Sequence, residues 1–426
     1  MSRGTGQDYS SGQTGKDQSS PWELHRLNHR DTLSVEGAVN QPRVCSRPTI
    51  EDIRMKVAIL ANDRPSFIRP MAEGLARMLN SCGAEPVMHY DGLDSLALRR
   101  SIDPSSPRSI AGSALRLIQS RRAFEEFFAR LGEPDLIVAV NNVPGSFAKG
   151  AFPNVELLRE RLPDVPIVNY DLHFLPTLNS WARFLLRGEK TELSSDALRI
   201  FKRGSFGLER YDWYLMASVD RELRLPPGPL PYSLIGLDLD DGTLYPEQRG
   251  KFSVLVDFVQ DRPDYLASRA VQLEALRLAG VDHVILDGRY TVGEIRAVYR
   301  RSSIFLLAAC ESFGLPICEL QACGSRIYMP DIFWASAHWT SERVYGPRHP
   351  ALSSNFVVYD ENAEALAERL HAEQQAFNPA QVRETFENVQ PELLHGDRKA
   401  VRDFLERVAD GTIHSRLHRS HVGLGR

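Results

Sequence analysis

The chain has 426 residues, of which 42% are hydrophobic and 25% charged, and its formal net charge at pH 7 is −4. These values are typical of a folded globular protein, and the length predicts two domains. The small negative charge argues against nucleic acid or an anionic membrane as the main partner.

The cysteines and the hydropathy pattern suggest a compartment. The five cysteines form no C-x-x-C pair, which is typical of a reducing environment. No apolar run approaches the length of a transmembrane helix, and the N-terminus lacks an apolar signal core. We therefore expect a cytoplasmic protein, and peripheral contact with the inner face of the membrane stays open.

Residues 1–48 are rich in Gly, Ser, Gln, Asp and Arg, so they have little apolar surface to bury. We predict a disordered extension there. Apolar strand-like runs and helical patterns then alternate through the first half of the chain. The predicted strands are 56–60, 86–90, 135–140, 166–170 and 211–218, with helices at 67–82 and 155–162.

Polar residues follow several of these strands. Asn62 and Arg64 follow the first, Asn142 follows the third, and Asp-Leu-His at 171–173 follows the fourth. Ligands bind at the carboxyl ends of parallel strands, so Asn62, Arg64 and Asn142 are candidate ligand contacts. Loops that only turn the chain are the alternative, and His173 has both a structural and a site interpretation. The first loop is not G-x-G-x-x-G, so it is not a dinucleotide fingerprint.

A proline-rich break at 226–231 precedes a second alternating set, with strands at 252–258, 283–286, 304–309, 326–329 and 356–359. Thr291 and Glu294 form a predicted capping box for a helix that ends at Arg301. Alternation in both halves predicts two doubly wound α/β domains of Rossmann-like type, with the ligand in a cleft between them.

We predict the following division of the chain. An N-terminal Rossmann-like domain covers 49–235, and a C-terminal Rossmann-like domain covers 236–395. A helix at 396–412 is expected to cross back to the N-terminal domain, and a frayed tail covers 413–426.

The stretch 303–330 has the order strand, loop, helix, strand. Pro316 suits the first turn of its helix, and the helix start offers free N–H groups and the positive end of a dipole, which suit a phosphate. Glu311 and Glu319 lie eight positions apart on either side of that start. Amides for phosphate and carboxylates for hydroxyls predict a nucleoside diphosphate joined to a polyol. The alternative is two solvent-facing charges, although Glu319 lies in an apolar helix and needs a partner.

The string Glu-Ser-Phe-Gly-Leu-Pro-Ile-Cys-Glu at 311–319 resembles the E-x7-E signature of retaining GT-B glycosyltransferases, especially glycosyltransferase family 4. The resemblance spans most of 233–375, including Ile-Gly-Leu-Asp at 235–238 and Gln-Ala-Cys-Gly at 321–324. The N-terminal half resembles the family only in architecture and in Asp-Leu-His at 171–173. The resemblance implies a GT-B fold and a hexosyltransferase of glycan or glycoconjugate biosynthesis. It also implies that the N-terminal domain at 49–235 binds the acceptor and that the C-terminal domain at 236–395 binds the nucleotide-sugar donor, with Asn62, Arg64 and Asn142 on the acceptor side.

The family resemblance also implies roles for single residues. Glu319 would bind the ribose hydroxyls of a nucleotide sugar, and Glu311 would sit beside the donor sugar in the catalytic centre. His173 would line that centre from the N-terminal domain. Other donor contacts would come from backbone N–H groups near the helix start and from the loop near the base: Phe313, Gly314, Leu315, Gly288, Arg289 and Tyr290.

The chain departs from the family where the phosphates would bind. Asp257 and Phe258 stand where Gly-Arg is expected, and Arg262 is the nearby cation that could replace the usual lysine. Arg64 or Arg289 could contribute from other loops. A diphosphate leaving group needs compensating positive charge, so this position bears directly on activity.

The reaction implied is transfer of a sugar from a nucleotide-diphosphate donor to an acceptor hydroxyl with retention of configuration. The leaving phosphate oxygen would serve as base. Both glutamates lie on one loop–helix unit, so they would bind the donor instead of flanking the scissile bond as in a glycosidase. No metal or other cofactor is expected, and the acceptor would be a glycan, a lipid-linked sugar or a small molecule. The alternatives are an inactive GT-B scaffold, a sugar-nucleotide epimerase and a phosphorylase.

Overall fold

The computed structural model describes residues 54–61, 68–90, 122, 125–140, 155–172, 211–218, 231–247, 251–258, 263–288, 290–308, 311, 313–330, 353–359 and 362–414. All of them belong to one compact unit, Pro48–Arg426. The predicted extension at 1–48 lies outside the described residues.

The first sheet contains six strands, all parallel, in the order β2-β1-β3-β4-β5-β6. Its central strands are buried along their whole length, which explains their continuous apolar sequences. The strands are β1 (Lys56–Leu60), β2 (Glu85–His89), β3 (Leu136–Val140), β4 (Ile167–Leu172), β5 (Trp213–Ala217) and β6 (Tyr232–Leu234).

Helices cover both faces of this sheet. Helix α1 (Ile68–Ser81) turns its apolar side to Val57 and Ile59, while α2 (Val155–Arg161) packs with Ala58 and Leu60 on the opposite face. Successive side chains of β1 therefore enter different cores, as the period of two in a strand requires.

The second sheet is also parallel, with the order β11-β10-β9-β7-β8. Its strands are β7 (Ser253–Val256), β8 (Asp282–Ile285), β9 (Ile304–Leu306), β10 (Arg326–Pro330) and β11 (Phe356–Tyr359). The helices that join or follow them are α3 (Pro263–Ala279), α4 (Val292–Arg301), α5 (Leu315–Ala322) and α6 (Ala363–Ala376). The chain continues through α7 (Pro379–Val389), α8 (Pro391–Leu394) and α9 (Arg398–Ala409).

This sheet too is covered on both faces. Val254 and Val256 pack with the apolar sides of α3 and α6, and Leu255 between them packs with the core that contains α5. The predicted fold class, two doubly wound parallel α/β sheets of Rossmann-like type, is confirmed. Helix α4 begins with the predicted capping box, in which the Thr291 side chain and the Glu294 side chain each accept from the other's backbone N–H.

Several strand predictions needed correction. Two strands end earlier than expected, β7 at Val256 instead of 258 and β9 at Leu306 instead of 309. We expected the fourth strand to end at 170, but β4 continues through Asp171 and Leu172, which pair with Met216 and Ala217. Strand β6 was not predicted at all. It is only three residues long, and pairing with β5 defines it as a strand.

A segment at 235–244, which we call the crossover, joins the two sheets. Leu237 N–H donates to the Glu392 carbonyl at 3.0 Å, and Leu239 N–H donates to the Leu394 carbonyl at 2.7 Å. The crossover is therefore hydrogen-bonded to α8, far along the chain. Helix α9, which follows, packs on α1 and on β6 of the first sheet. The domain limits proposed from the sequence stay predictions.

Two glycines make this close contact sterically possible. A Cβ at position 236 would lie 2.1 Å from the Glu392 carbonyl oxygen, and Gly236 has a φ of +74°. A Cβ at Gly74, on α1, would lie 2.3 Å from the Leu237 carbonyl oxygen. The crossover therefore lies against the backbone of α8 on one side and the backbone of α1 on the other. At both contacts there is room for the hydrogen of glycine but not for a Cβ.

Among the helices that the structure describes, none combines the length and the apolar character needed to cross a bilayer.

Candidate functional site

The topology of the second sheet defines a crevice. From β7 the chain moves to β8 on one side, and β9 lies on the other side of β7. The strand order therefore reverses between β7 and β9, and in open parallel sheets ligands bind at the carboxyl ends of the strands at such a point. Asp257 follows β7 and Glu311 lies beyond β9, so these two carboxyl groups flank the reversal point.

Helix α5 starts at the same edge. Gly314 is its N-cap residue, a proline lies in its first turn, and that turn holds no acidic residue. A Cβ at position 314 would lie 4.0 Å from Oε2 of Glu311, which places this carboxylate beside the helix start. The N-cap residue of α5, Gly314, has no side chain with which to cap the N-terminal amides. The positive end of the helix dipole therefore lies at the crevice, where it favours an anion.

Glu319 lies one turn into α5 and is 4% exposed. Its Oε1 accepts two hydrogen bonds from the Arg296 guanidinium of α4, from Nε at 2.9 Å and from Nη2 at 2.7 Å. Burial raises the pKa of Glu319, and Arg296 opposes that rise. In the described part of the chain, Oε2 of Glu319 accepts no hydrogen bond. The partner that the sequence demanded for this glutamate is therefore Arg296, and it engages one of the two oxygens.

The other edge of Arg296 faces the crossover. Nη1 donates to Oδ2 of Asp241 and, at 2.8 Å, to Oγ1 of Thr243. Oδ1 of Asp241 accepts from the Thr243 N–H at 2.9 Å and from its hydroxyl at 2.7 Å. Hydrogen bonds from Thr243 and Arg296 outweigh the effect of burial and hold the pKa of Asp241 below its usual range. One guanidinium thus joins α4, α5 and the crossover.

Asp257 gives the β7 side of the crevice its charge. Its Oδ1 accepts from the Phe258 N–H at 2.7 Å, and Nη2 of the buried Arg269 donates to its backbone carbonyl at 2.5 Å. Burial and, after it, the nearby charge of Glu311 raise the pKa of Asp257 to about 7. Near neutral pH this carboxyl is therefore divided between its neutral and charged forms.

Aromatic side chains lie beyond β7 and β8. The rings of Phe258 and Tyr290 are 6.4 Å apart with an interplanar angle of 58°. Phe258 is 45% exposed, and Gly288 is exposed in the same loop region as Tyr290. The predicted base loop thus adjoins the position where the sequence lacks Gly-Arg.

The remaining predicted site residues divide into two groups. Phe313 and Leu315 have side chains buried in the core, so only their backbone groups can reach a ligand. Six predicted residues lie outside the described part of the chain: His173, Arg262, Arg289, Asn62, Arg64 and Asn142.

Sequence reasoning missed Arg296 and Arg269, although a signal for Arg296 was present. Arg296 and Tyr299 are three positions apart on α4, and both are buried. A charged residue on the apolar face of a helix needs a partner inside the protein. Arg296 is such a residue, and Glu319, 23 positions later, is an acid that the sequence left without an obvious partner. For Arg269 the sequence held no comparable signal.

Two other features bear on ligands. Among the described residues, no group of three or more His, Cys, Asp or Glu side chains could hold a metal ion. A cavity of about 350 Å³ adjoins the crossover, and none of its described lining residues belongs to the predicted donor site. Its described lining is Ser218, Leu234, Gly236, Pro391, Glu392, His395, Gly396, Asp397 and Arg398.

No protein-family model matches the sequence, and no curated protein matches it. Solved structures do align with most of the chain. The crystal structure of Os79 from O. sativa in complex with UDP is 14% identical, covers 83% of this chain and 100% of its own, and has a TM-score of 0.47. The catalytic domain of starch synthase IV from Arabidopsis thaliana, bound to ADP and acarbose, is 12% identical, with coverages of 84% and 99% and a TM-score of 0.45.

A third structure is WaaG, a glycosyltransferase involved in lipopolysaccharide biosynthesis. It is 12% identical, with coverages of 82% and 99% and a TM-score of 0.39. Sequence identities and TM-scores this low give no argument about the activity of the chain.

Proposed function

We propose that the chain is a glycosyltransferase with GT-B architecture that moves a sugar from a nucleotide-diphosphate donor to an acceptor hydroxyl with retention of configuration. The observation that carries the proposal is the position of Glu311 beside the start of α5, at the point where the strand order reverses. Glu319 lies on the same short helix. The E-x7-E spacing is thus built into a crevice of the kind that binds nucleotides.

In this proposal the α5 amides and the helix dipole bind the diphosphate, and Glu311 contacts the donor sugar. Oε2 of Glu319 binds the ribose hydroxyls, since Oε1 already accepts from Arg296. The loop that contains Gly288 and Tyr290 lies near the base. The leaving phosphate oxygen takes the acceptor proton as the new glycosidic bond forms on the same face. His173, the acceptor contacts Asn62, Arg64 and Asn142, and a cytoplasmic location remain parts of the proposal.

A second candidate is a scaffold of the same architecture without activity. The observation that favours it is Asp257, whose carboxyl lies near Glu311 where the family resemblance implies a cation. Two acidic groups at the phosphate position oppose a diphosphate. A charge from Arg262 or Arg289 would be needed to offset them.

Calorimetry with UDP, ADP, GDP and dTDP and the matching sugar nucleotides tests binding, and proton NMR of the products with candidate acceptors tests transfer and retention. We expect one nucleotide series to bind and Glu319→Ala to weaken it at least tenfold. Glu384→Ala, an exposed glutamate on α7, is the matched control. Wild-type affinity in Glu319→Ala would refute the ribose assignment. Binding without turnover would favour the scaffold, and no binding to any nucleotide would refute the proposal.

A further inference from the structure

Arg296 is buried among elements that belong to different parts of the chain. Its side chain is 6% exposed, and the Glu319 side chain facing it is 5% exposed. Four hydrogen bonds leave the guanidinium, two to Glu319 and two to the crossover residues Asp241 and Thr243. A planar guanidinium with both edges bonded has one orientation, which a lysine could not reproduce.

The arrangement does more than neutralise a buried acid. A buried ion pair usually adds little to stability compared with well-packed apolar residues, so its presence calls for another reason. Here both donors go to Oε1 of Glu319, and Oε2 accepts no hydrogen bond within the described residues. Among the residues that the structure describes, the carboxylate is therefore bonded at one oxygen only.

The crossover fixes the guanidinium in turn. Asp241 and Thr243 bond to each other and to Nη1 of Arg296. Arg300, one turn further along α4, donates to the Thr243 carbonyl at 3.1 Å. The orientation of Arg296 is thus set by a segment that is itself hydrogen-bonded to the far end of the chain.

We propose that Arg296 is a positioning residue for the donor site: it fixes the Glu319 side chain so that the second oxygen can accept from the ribose hydroxyls. This inference rests on the proposed function, because it assigns Arg296 an effect on nucleotide binding that acts through Glu319. Arg296 itself does not touch the donor.

The test is a double-mutant cycle on nucleotide affinity, with whichever of UDP, ADP, GDP and dTDP binds the wild type most tightly. We expect Arg296→Gln and Glu319→Gln each to weaken binding at least tenfold. If Arg296 acts through Glu319, the double variant should bind within about twofold of Glu319→Gln alone, because energies of coupled residues do not add. Arg301→Gln is the control, because Arg301 is an exposed arginine of the same helix that donates to the Ala297 carbonyl one turn back.

The pH dependence of binding gives a readout that a merely structural role would not change. Nucleotide affinity should fall at low pH, where Glu319 becomes protonated. Because burial raises the pKa of Glu319, this fall should begin at a higher pH than is usual for a glutamate. In Arg296→Gln the charge that lowers the pKa of Glu319 is absent, so the fall in affinity should move to higher pH. Arg296→Lys keeps the positive charge, so its pH profile should resemble that of the wild type, but its affinity should recover only in part. If Arg296→Gln does not fold, Arg296→Lys and Asp241→Asn serve in the same cycle.

The outcomes separate the two proposals. If the wild type binds no nucleotide, the proposed function fails and this inference fails with it. If the wild type binds and Arg296→Gln binds equally well, only the inference is overturned. It is also overturned if Arg296→Gln weakens binding by the same factor with and without Glu319, because the effect would then be structural.

Discussion

The hydroxyl of Tyr170 donates a hydrogen bond of 2.7 Å to the carbonyl oxygen of Gly236. Tyr170 lies near the end of β4, and Gly236 lies in the crossover that leads to the second sheet. Both groups are buried, so the bond is shielded from water. It connects the centre of the first sheet to the segment that also contacts α8 and, through Asp241, Arg296.

Tyr170→Phe should lower the thermal unfolding midpoint without changing the secondary structure. The substitution keeps the ring but leaves a buried carbonyl without its partner, which costs about 1–3 kcal/mol. Tyr245→Phe is the matched control, because Tyr245 is 46% exposed. Equal midpoints for Tyr170→Phe and the wild type in differential scanning calorimetry would contradict the expected contribution.

Gly236→Ala should destabilise the protein far more than Gly242→Ala. Both glycines have positive φ, +74° and +79°, so both substitutions carry the same backbone strain of about 1–2 kcal/mol. Only at Gly236 does the new methyl meet backbone, 2.1 Å from the Glu392 oxygen, whereas Gly242 has nothing within 4 Å. Comparing urea midpoints isolates the packing effect. Similar midpoints for the two variants would show that α8 can move away from the crossover.

Asp171→Asn should become more stabilising relative to the wild type as the pH rises. Asp171 is 1% exposed, and burial raises its pKa from 3.8 to about 8. Between those values the native state keeps a proton that the unfolded state has released, so wild-type stability falls across this window as pH rises. Asparagine removes that loss and can keep the bond from the Leu172 N–H.

Thermal midpoints at pH 5, 7 and 9 test this prediction. The difference in unfolding free energy between Asp171→Asn and the wild type should grow by on the order of 4 kcal/mol from pH 5 to pH 9. Exposed Glu384→Gln should show a constant gap. A gap that stays constant for Asp171→Asn would mean that this carboxyl is ionised in the native protein.

Asp257→Asn should strengthen nucleoside diphosphate binding above pH 7 and leave it unchanged near pH 5.5. The pKa of Asp257 is about 7, so the carboxyl repels a diphosphate only at higher pH. About a tenfold gain at pH 8.5 is expected, the equivalent of ~1.4 kcal/mol. Isothermal titration at both pH values measures it.

The control for that titration is Asp282→Asn, an acidic residue at the amino end of β8 that pairs with Lys251. It should bind like the wild type at both pH values. A gain in Asp282→Asn equal to that in Asp257→Asn would indicate a general charge effect instead of a local one.

Local pattern was sufficient for most of the fold. Buried strands such as β3 and β5 have apolar runs with no competing interpretation, and the capping box at Thr291 fixed the start of α4. Strand β6 escaped because its existence depends on pairing with β5, which no local pattern records. Asp171 was expected beyond the end of β4 because an aspartate usually marks a strand end. Its burial depends on the neighbouring strand.

The same distinction applies to the candidate site. The positions of Glu311 and Glu319 follow from the strand, loop and helix order around them, so the sequence indicated that part. The contact between Arg296 and Glu319 joins residues 23 positions apart on different helices, and the link to Asp241 spans 55 positions. Such contacts depend on how α4, α5 and the crossover pack, and that packing is a property of the tertiary structure.

The crossover limits where the chain can be divided. A fragment that ends after the first sheet would expose the surface of α1 at Gly74 and Met78, which Leu237 and Gly396 now cover. A fragment that begins with the second sheet would keep α9 but lose α1, on which α9 packs. Expressing the two halves as separate recombinant proteins is therefore a poor strategy, and coexpression or the intact chain is the better choice for biochemistry.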